Sequence, residues 1–272
     1  MGSTTDFDSD RRRQIYEYVE RNGAVDPETA RRNLLVQAPS NSKPARSGAE
    51  LDPSIPMPPG VFAEHVAGLE DEGYLAERDG KLRVAHPVEA DATTVTVEDV
   101  EDDGIEDAEA TVRAAVQEDI EGIVDVVETI AVADEYVVAS RLASDVTREE
   151  VLLRQNDRED RVFFVATVDD EIVGWLHVEA VQVPMMDHTA QLTVGVLEAY
   201  RGHGIGSTLM EHGLDWARDR GLRKVYQNVP ASNERAIAFL ENAGWAVEST
   251  REDHYCIDDA FVDEAQLAIW LE

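Results

Sequence analysis

Apolar positions follow two spacings along this chain, and the spacing changes where the elements should change. Near the N-terminus, Ile15, Tyr18 and Val19 recur at helical intervals within residues 11–22, and Gly23 supplies a stop. Asp26-Pro27-Glu28 reads as a helix start, with an acid at the cap, proline at the first position and a second acid in the first turn. Leu34 and Leu35 are the expected buried residues of that helix. A long Pro/Ser/Gly-rich loop follows over residues 37–60. A third helix over residues 61–72 sets Phe62, Val66 and Leu69 on one face, and Gly73 ends it. Residues 74–76 and 81–84 flank Glu77-Arg78-Asp79-Gly80, a hairpin with an Asp-Gly turn.

Period-two alternation dominates the second half. Residues 110–115 read as a first strand. A helix starts at Gln117-Glu118-Asp119 with Ile120, Ile123, Val124 and Val127 inward, and a looser one is expected over residues 147–154. Residues 161–167 and 171–183 flank Val168-Asp169-Asp170 as an antiparallel hairpin. Leu192, Val194 and Val196 then alternate along a central strand, and Leu209, Met210, Gly213, Leu214 and Ala217 follow at helical spacing up to Gly221. Residues 224–229 make the next strand. Strand, helix and strand within about forty residues is a βαβ unit, so the two strands should be parallel with a right-handed crossover. A capped helix over residues 232–245 closes on Gly244, and Ala265, Leu267, Ile269 and Leu271 alternate in a last strand.

Charge divides the chain. It carries 57 acids against 24 bases, a net −33. Residues 1–85 hold 11 of the bases and 15 of the acids, so nearly all of the negative charge lies beyond them. Ten of the 21 residues over 89–109 are acidic and none is basic, which suits a solvated linker, with a short strand open to Thr93–Val97. The expected organisation is a domain over 1–85, an acidic linker over 86–109 and a second domain over 110–272. Only three bases are lysine, Lys43, Lys81 and Lys224. A Lys-poor acidic surface suits a salt-rich, halophile-type cytoplasm, where repulsion is screened, and disfavours general nucleic-acid affinity. Cys256 is alone, which excludes an intrachain disulfide and reads as a buried inert thiol. No apolar run reaches membrane length and the N-terminus lacks an apolar signal core, so a cytoplasmic protein is expected.

The candidate chemistry sits between the central strand and its helix, at Arg201-Gly202-His203-Gly204-Ile205-Gly206-Ser207. Glycines on alternate positions remove every second Cβ and let backbone N–H groups at a helix N-terminus approach a bulky anion. A Walker loop needs a lysine where Ser207 stands. A dinucleotide fingerprint needs Gly or Ala there, and an acid where Gln227 and Asn228 stand. The fitting pattern is Arg-x-x-Gly-x-Gly, completed by Arg201, Gly204 and Gly206. It resembles the acyl-CoA loop of the GCN5-related N-acetyltransferase (GNAT) superfamily. The run from Asn233 through Ala236 and Phe239 to Gly244-Trp245 is similar to that family's second block.

The resemblance, over about residues 110–272, implies an α/β (α+β) fold with a mixed central sheet around a βαβ acyl-CoA-binding core. It implies acetyl-CoA as co-substrate, no metal, and direct acetyl transfer to an amine of a small molecule or a protein. Val194 and Val196 would offer backbone groups to the pantetheine. Arg201, Gly202, His203, Gly204, Ile205, Gly206 and Ser207 would hold the pyrophosphate, and Asn233 would contact the distal part of CoA. Many family members place a Tyr acid where this chain has Leu240, and some place a Glu base where it has Asn228. Replacement candidates are Tyr226 as proton donor and His188 as base, with Glu179, His254 and Tyr255 behind them. Three N-terminal helices and a hairpin, with Gly73-Tyr74-Leu75 before a charged tip, resemble a winged helix. Its third helix carries Glu64, His65, Glu70, Asp71 and Glu72 rather than arginines, which places a structural or partner-binding role ahead of DNA binding despite Arg11, Arg12, Arg13, Arg31 and Arg32. An acetyl-CoA-responsive regulator is the alternative reading, and a monomer or homodimer is expected.

Overall fold

The computed structural model describes Phe7 and residues 9–37, 54–85, 92–97 and 108–133; Leu142, Ser144 and Val146; and residues 152–156, 159–257 and 259–272. Most of the loop expected over 37–60, of the helix expected over 147–154 and of the acidic stretch 86–109 lies outside these residues. The chain divides into two compact units, one over Asp6–Pro87 and one built mainly from Val88–Glu272.

The N-terminal unit holds three helices, α1 (Asp10–Asn22), α2 (Pro27–Asn33) and α3 (Pro59–Asp71), and two strand pairs. Ser9 caps α1 and Asp26 caps α2, each side chain accepting a first-turn N–H. Strand β1 (Leu35–Gln37) pairs with β2 (Ser54–Pro56), and β3 (Leu75–Arg78) pairs with β4 (Lys81–Val84). Asp79 and Gly80 both take positive φ, which accounts for an Asp-Gly turn at this point. Ile15, Val19, Phe62, Val66 and Leu69 meet in one core with Leu75 and Leu82, as the helical spacing requires. Tyr16, rather than Tyr18, is the fully buried tyrosine of α1. Leu35 is a correction: it is 57% exposed, because the chain leaves α2 at Leu34 and enters β1, whose alternation turns Leu35 outward.

The second unit is a nine-stranded sheet in the order β12-β13-β11-β10-β9-β8-β6-β5, with a short β7 (Arg154–Gln155) also on β8. Its strands are β5 (Thr93–Val97), β6 (Ala108–Ala114), β8 (Glu159–Val168), β9 (Glu171–Val181), β10 (Thr189–Val196), β11 (Lys224–Pro230), β12 (Ala246–Ile257) and β13 (Ala260–Trp270). Only β10 and β11 run parallel; every other neighbouring pair is antiparallel. The parallel pair is the one joined through a helix, α5 (Ile205–Asp219), as the βαβ spacing requires.

Within the acidic stretch, the short strand left open at Thr93–Val97 forms as β5, which pairs with β6 in this sheet and buries Val97 completely. The residues before the last strand form a full strand, β12, whose positions are almost all exposed, and Cys256 on it is exposed rather than buried.

Helices cover the two faces of the sheet. On one face, Leu209, Met210, Leu214 and Ala217 of α5 pack on Phe164, Leu176, Leu192 and Val225. On the other, Ile123, Val127 and Ile130 of α4 (Ile120–Ala133) pack on Phe163, Val165 and Trp175. Burial of large side chains on both faces is what holds the centre of the sheet, each contributing about 1.5–3 kcal/mol. Among the described residues, no helix is long and apolar enough to cross a membrane.

Candidate active site

Strands β10 and β11 pair only at their beginnings, over Thr189, Ala190 and Gln191 against Lys224, Val225 and Tyr226. Beyond that rung each keeps only its outer neighbour. β10 stays on β9 as far as Val196, and β11 stays on β13 as far as Pro230. The sheet therefore opens between them, with unpaired strand edges on both sides of the gap.

A cavity of about 450 Å³ occupies this opening. Val194, Gly195 and Val196 of β10 and Gln227 of β11 form its walls. At one end are Arg201, Gly202, Gly204, Gly206 and Ser207, with Asn233, Ala236, Phe239 and Leu240 from α6 (Glu234–Asn242). Ile130 of α4 lines it as well, from the opposite face of the sheet. The cavity thus runs through the sheet, from the face of α5 and α6 to the face of α4.

The glycine loop takes the shape its sequence demands. Gly202 and Gly204 have φ of 90° and 86°, a region costly for any residue with a Cβ. Gly204 is the N-cap of α5 and no side chain caps that helix, so its first-turn N–H groups remain available to a ligand. Arg201 donates from Nε to the Val196 carbonyl at 2.7 Å, which ties its guanidinium to the end of β10 while it lines the cavity. Asn233 caps α6 by accepting the Ala236 N–H at 3.0 Å, which leaves its side-chain NH₂ to face the cavity.

Of the binding residues expected from sequence, Val194, Val196, Arg201, Gly202, Gly204, Gly206, Ser207 and Asn233 line this cavity. His203 and Ile205 do not; Ile205 is buried in the core beneath α5. Leu240, where a tyrosine was sought, is buried and lines the cavity with a side chain that carries no proton. Sequence reasoning missed Ile130, Tyr200, Gln227 and Arg235, which come from four separate elements; only the fold brings them together.

The two catalytic candidates are not brought together. Tyr226 is half-buried on the last rung shared by β10 and β11, on the face of α4. Burial and the nearby Glu179 carboxylate push its phenol above the usual tyrosine range, so it stays protonated. His188 lies in the exposed turn before β10, at the end of the pair away from the gap. Its carbonyl oxygen accepts the N–H groups of Arg223 and Lys224, and no cavity lining includes its ring. His254 and Tyr255 also lie elsewhere, around the buried Glu264 of β13: Tyr255 donates its hydroxyl to that carboxylate and His254 stands 3.5 Å from it.

An open mixed sheet, split at a parallel pair above an uncapped glycine-rich helix start, defines a class of α/β domains suited to a long ligand with an anionic end. Comparison narrows this class: residues 121–245, within the second unit, match the acetyltransferase (GNAT) family. The chain is 29% identical over 90 residues to [ribosomal protein bS18]-alanine N-acetyltransferase of Escherichia coli, over 33% of this chain and 61% of that protein. It is 38% identical over 82 residues to mycothiol acetyltransferase of Corynebacterium glutamicum, over 29% of this chain and 26% of that one. The chain thus spans about three-fifths of the curated relative it matches first. Among solved structures, yncA from Salmonella typhimurium, determined with acetyl-CoA, shares the fold with a TM-score of 0.51 and 15% identity, over 60% of this chain and 94% of that one.

Proposed function

We propose that the second unit binds acetyl-CoA and transfers its acetyl group to an amine. The observation that carries this reading is the cavity through the sheet. One end offers free helix N–H groups, two positive-φ glycines and the guanidinium groups of Arg201 and Arg235, in a chain that is otherwise strongly acidic. The middle is a narrow apolar passage between unpaired strand edges. The other end opens on the face of α4. A ligand with a charged tail and a slender neutral arm fits that sequence of environments.

In this reading the 201–207 loop receives the pyrophosphate through N–H groups and Arg201, and Asn233 donates its side-chain NH₂ to the same ligand. The edge of β10 at Val194 and Val196 offers backbone groups to the arm. The acceptor amine approaches from the face of α4, where Tyr226 of β11 and Glu179 of β9 stand on either side of Gln191 of β10. The neutral Tyr226 phenol supplies a proton to the departing thiolate, and Glu179 takes the proton of the amine through water. Leu240 and the apolar lining keep bulk water from the reacting bond.

Calorimetric titration of acetyl-CoA and CoA into the wild type and Gly204→Glu tests the reading. Glutamate at 204 adds a side chain at positive φ and a negative charge in the anion cradle. Binding to the wild type and its loss in the variant is the expected pair of results. Failure of the wild type to bind either ligand overturns the proposal.

For the N-terminal unit we propose a winged-helix-like module, with the β3–β4 hairpin as its wing, that engages a protein partner. Its order of three helices followed by a hairpin supports the form. The acidic third helix supports a partner other than DNA. A binding assay of the whole chain against duplex DNA at low salt tests the second point, and tight binding would reverse it.

A further inference from the structure

Trp175 belongs to β9, faces Gly195 of β10 and is fully buried. Its indole N–H has no hydrogen-bond partner among the described residues. A buried donor left unpaired is costly, and native proteins rarely keep one without use. Its position explains where an acceptor would come from. A Cβ on Gly195 would lie 3.0 Å from Trp175 Nε1 and 3.0 Å from Ile130 Cδ1. The indole therefore leans from β9 across β10, and its N–H lies against the one wall residue of the cavity that has no side chain. Gly195 and Ile130 both line the cavity, at its end on the face of α4.

The other three tryptophans make the contrast clear. Trp245 donates to the Met210 sulfur at 3.2 Å. Trp216 also has an unpaired N–H, but it sits on α5 with Arg220 stacked 4.0 Å from its ring centre, and neither residue lines the cavity. Trp270 is exposed on the last strand. Only Trp175 combines burial, an unpaired N–H and direct contact with a cavity-lining glycine.

We propose that the Trp175 indole N–H is a ligand-binding donor that donates a hydrogen bond to a carbonyl oxygen of the acyl-pantetheine arm. This rests on the acetyl-CoA reading above and adds a binding residue to it. The oxygen belongs either to the acyl group or to an amide of the pantetheine, and the two are separated by comparing acetyl-CoA with CoA, which lacks the acyl group.

The test is a ¹H–¹⁵N spectrum of the full chain labelled at its four tryptophans, titrated with acetyl-CoA and then with CoA. Trp175→Phe assigns the resonance; if that variant fails to fold, single phenylalanine substitutions of the other three assign it by elimination. The expected result is a downfield shift of the Trp175 indole proton that exceeds those of Trp216 and Trp270. A shift with acetyl-CoA alone assigns the acyl oxygen, and a shift with both ligands assigns a pantetheine amide. Trp175→Phe, which keeps an aromatic ring but removes the N–H, is expected to weaken binding of the responding ligand by about three- to tenfold, the range for one hydrogen bond. Binding with an unmoved Trp175 resonance overturns this inference and leaves the functional reading intact. No binding of either ligand overturns both.

Discussion

Gln191 faces Tyr226 across the last rung that β10 and β11 share. One residue further on, the strands part and the cavity begins, so Tyr226 marks the vertex of the opening while Gln227, its neighbour, lines the wall on the opposite face. In the proposed reaction, a tyrosine outside the cavity lining would thereby stand beside the reacting end of the acyl-pantetheine arm.

The first prediction concerns that tyrosine. Burial and then Glu179 raise its pKa, so the phenol stays protonated at neutral pH, and in the proposed reaction its ionisation sets the alkaline limb of the rate profile. Tyr226→Phe should lower turnover of an amine acceptor found by screening by about 10²-fold or more, with acetyl-CoA affinity unchanged. Glu179→Gln removes a like charge that opposes ionisation, so the alkaline limb of the rate profile should move to lower pH. Difference absorbance of tyrosinate, wild type against Tyr226→Phe, reads the same shift without an acceptor. An unmoved titration in Glu179→Gln would dismiss the pairing.

How much of this was legible beforehand depended on locality. The glycine loop was legible because its requirement is written in φ: Gly202 and Gly204 need positive values that few other residues tolerate. The buried face of α5 was legible because Leu209, Met210, Gly213, Leu214 and Ala217 repeat at helical spacing against one sheet. Strand β12 was not, because solvent on both sides removes the alternation that marks a strand, whereas the β-branched run Thr93–Val97 kept β5 legible as a short strand despite the acids around it. Tyr200, Gln227, Arg235 and Ile130 share no sequence signal; they meet because strands 189–196 and 224–230 diverge, which is a property of pairing rather than of spacing.

Gly195 gives a prediction about stability. A methyl group there would come within 3.0 Å of Trp175 Nε1 and of Ile130 Cδ1, so these two buried side chains must give way to admit it. Gly195→Ala should destabilise the second unit by about 1–3 kcal/mol, the usual cost of overpacking. Chemical denaturation followed by tryptophan fluorescence measures it. A stability equal to the wild type would mean that the indole is free to retreat.

The charge balance gives a prediction about salt. A net −33 produces self-repulsion that ions screen, and the screening length falls from about 10 Å at 0.1 M to about 3 Å at 1 M. The thermal midpoint should therefore rise by several degrees over that range of KCl and rise little with an uncharged osmolyte of equal osmolality. A flat or falling midpoint in KCl would show that repulsion does not limit this fold.

The last prediction concerns His177 and pH. It is buried on β9 beneath α4, stacks on Phe163 and lies 3.4 Å from the Thr193 hydroxyl. Burial, and then the charge of Arg161, hold its pKa down to about 3, against 6.5 for a free side chain. The folded imidazole is therefore neutral, and below pH 6.5 the unfolded chain binds a proton that the folded chain refuses. Stability owed to this residue is fully present above pH 6.5 and is lost as pH falls toward 3, at up to about 1.4 kcal/mol per pH unit. His212, half-buried and also shifted downward by burial, acts in the same direction. Between pH 6.5 and 5, above most carboxylate titrations, the histidines should dominate the slope. Urea denaturation at half-unit steps should show stability falling with acidification in the wild type. In His177→Gln, a neutral side chain that still reaches Thr193, only the part owed to His212 should remain. An equal slope in the two proteins would mean that His177 takes up its proton inside the fold, and that the packing around it opens to let it do so.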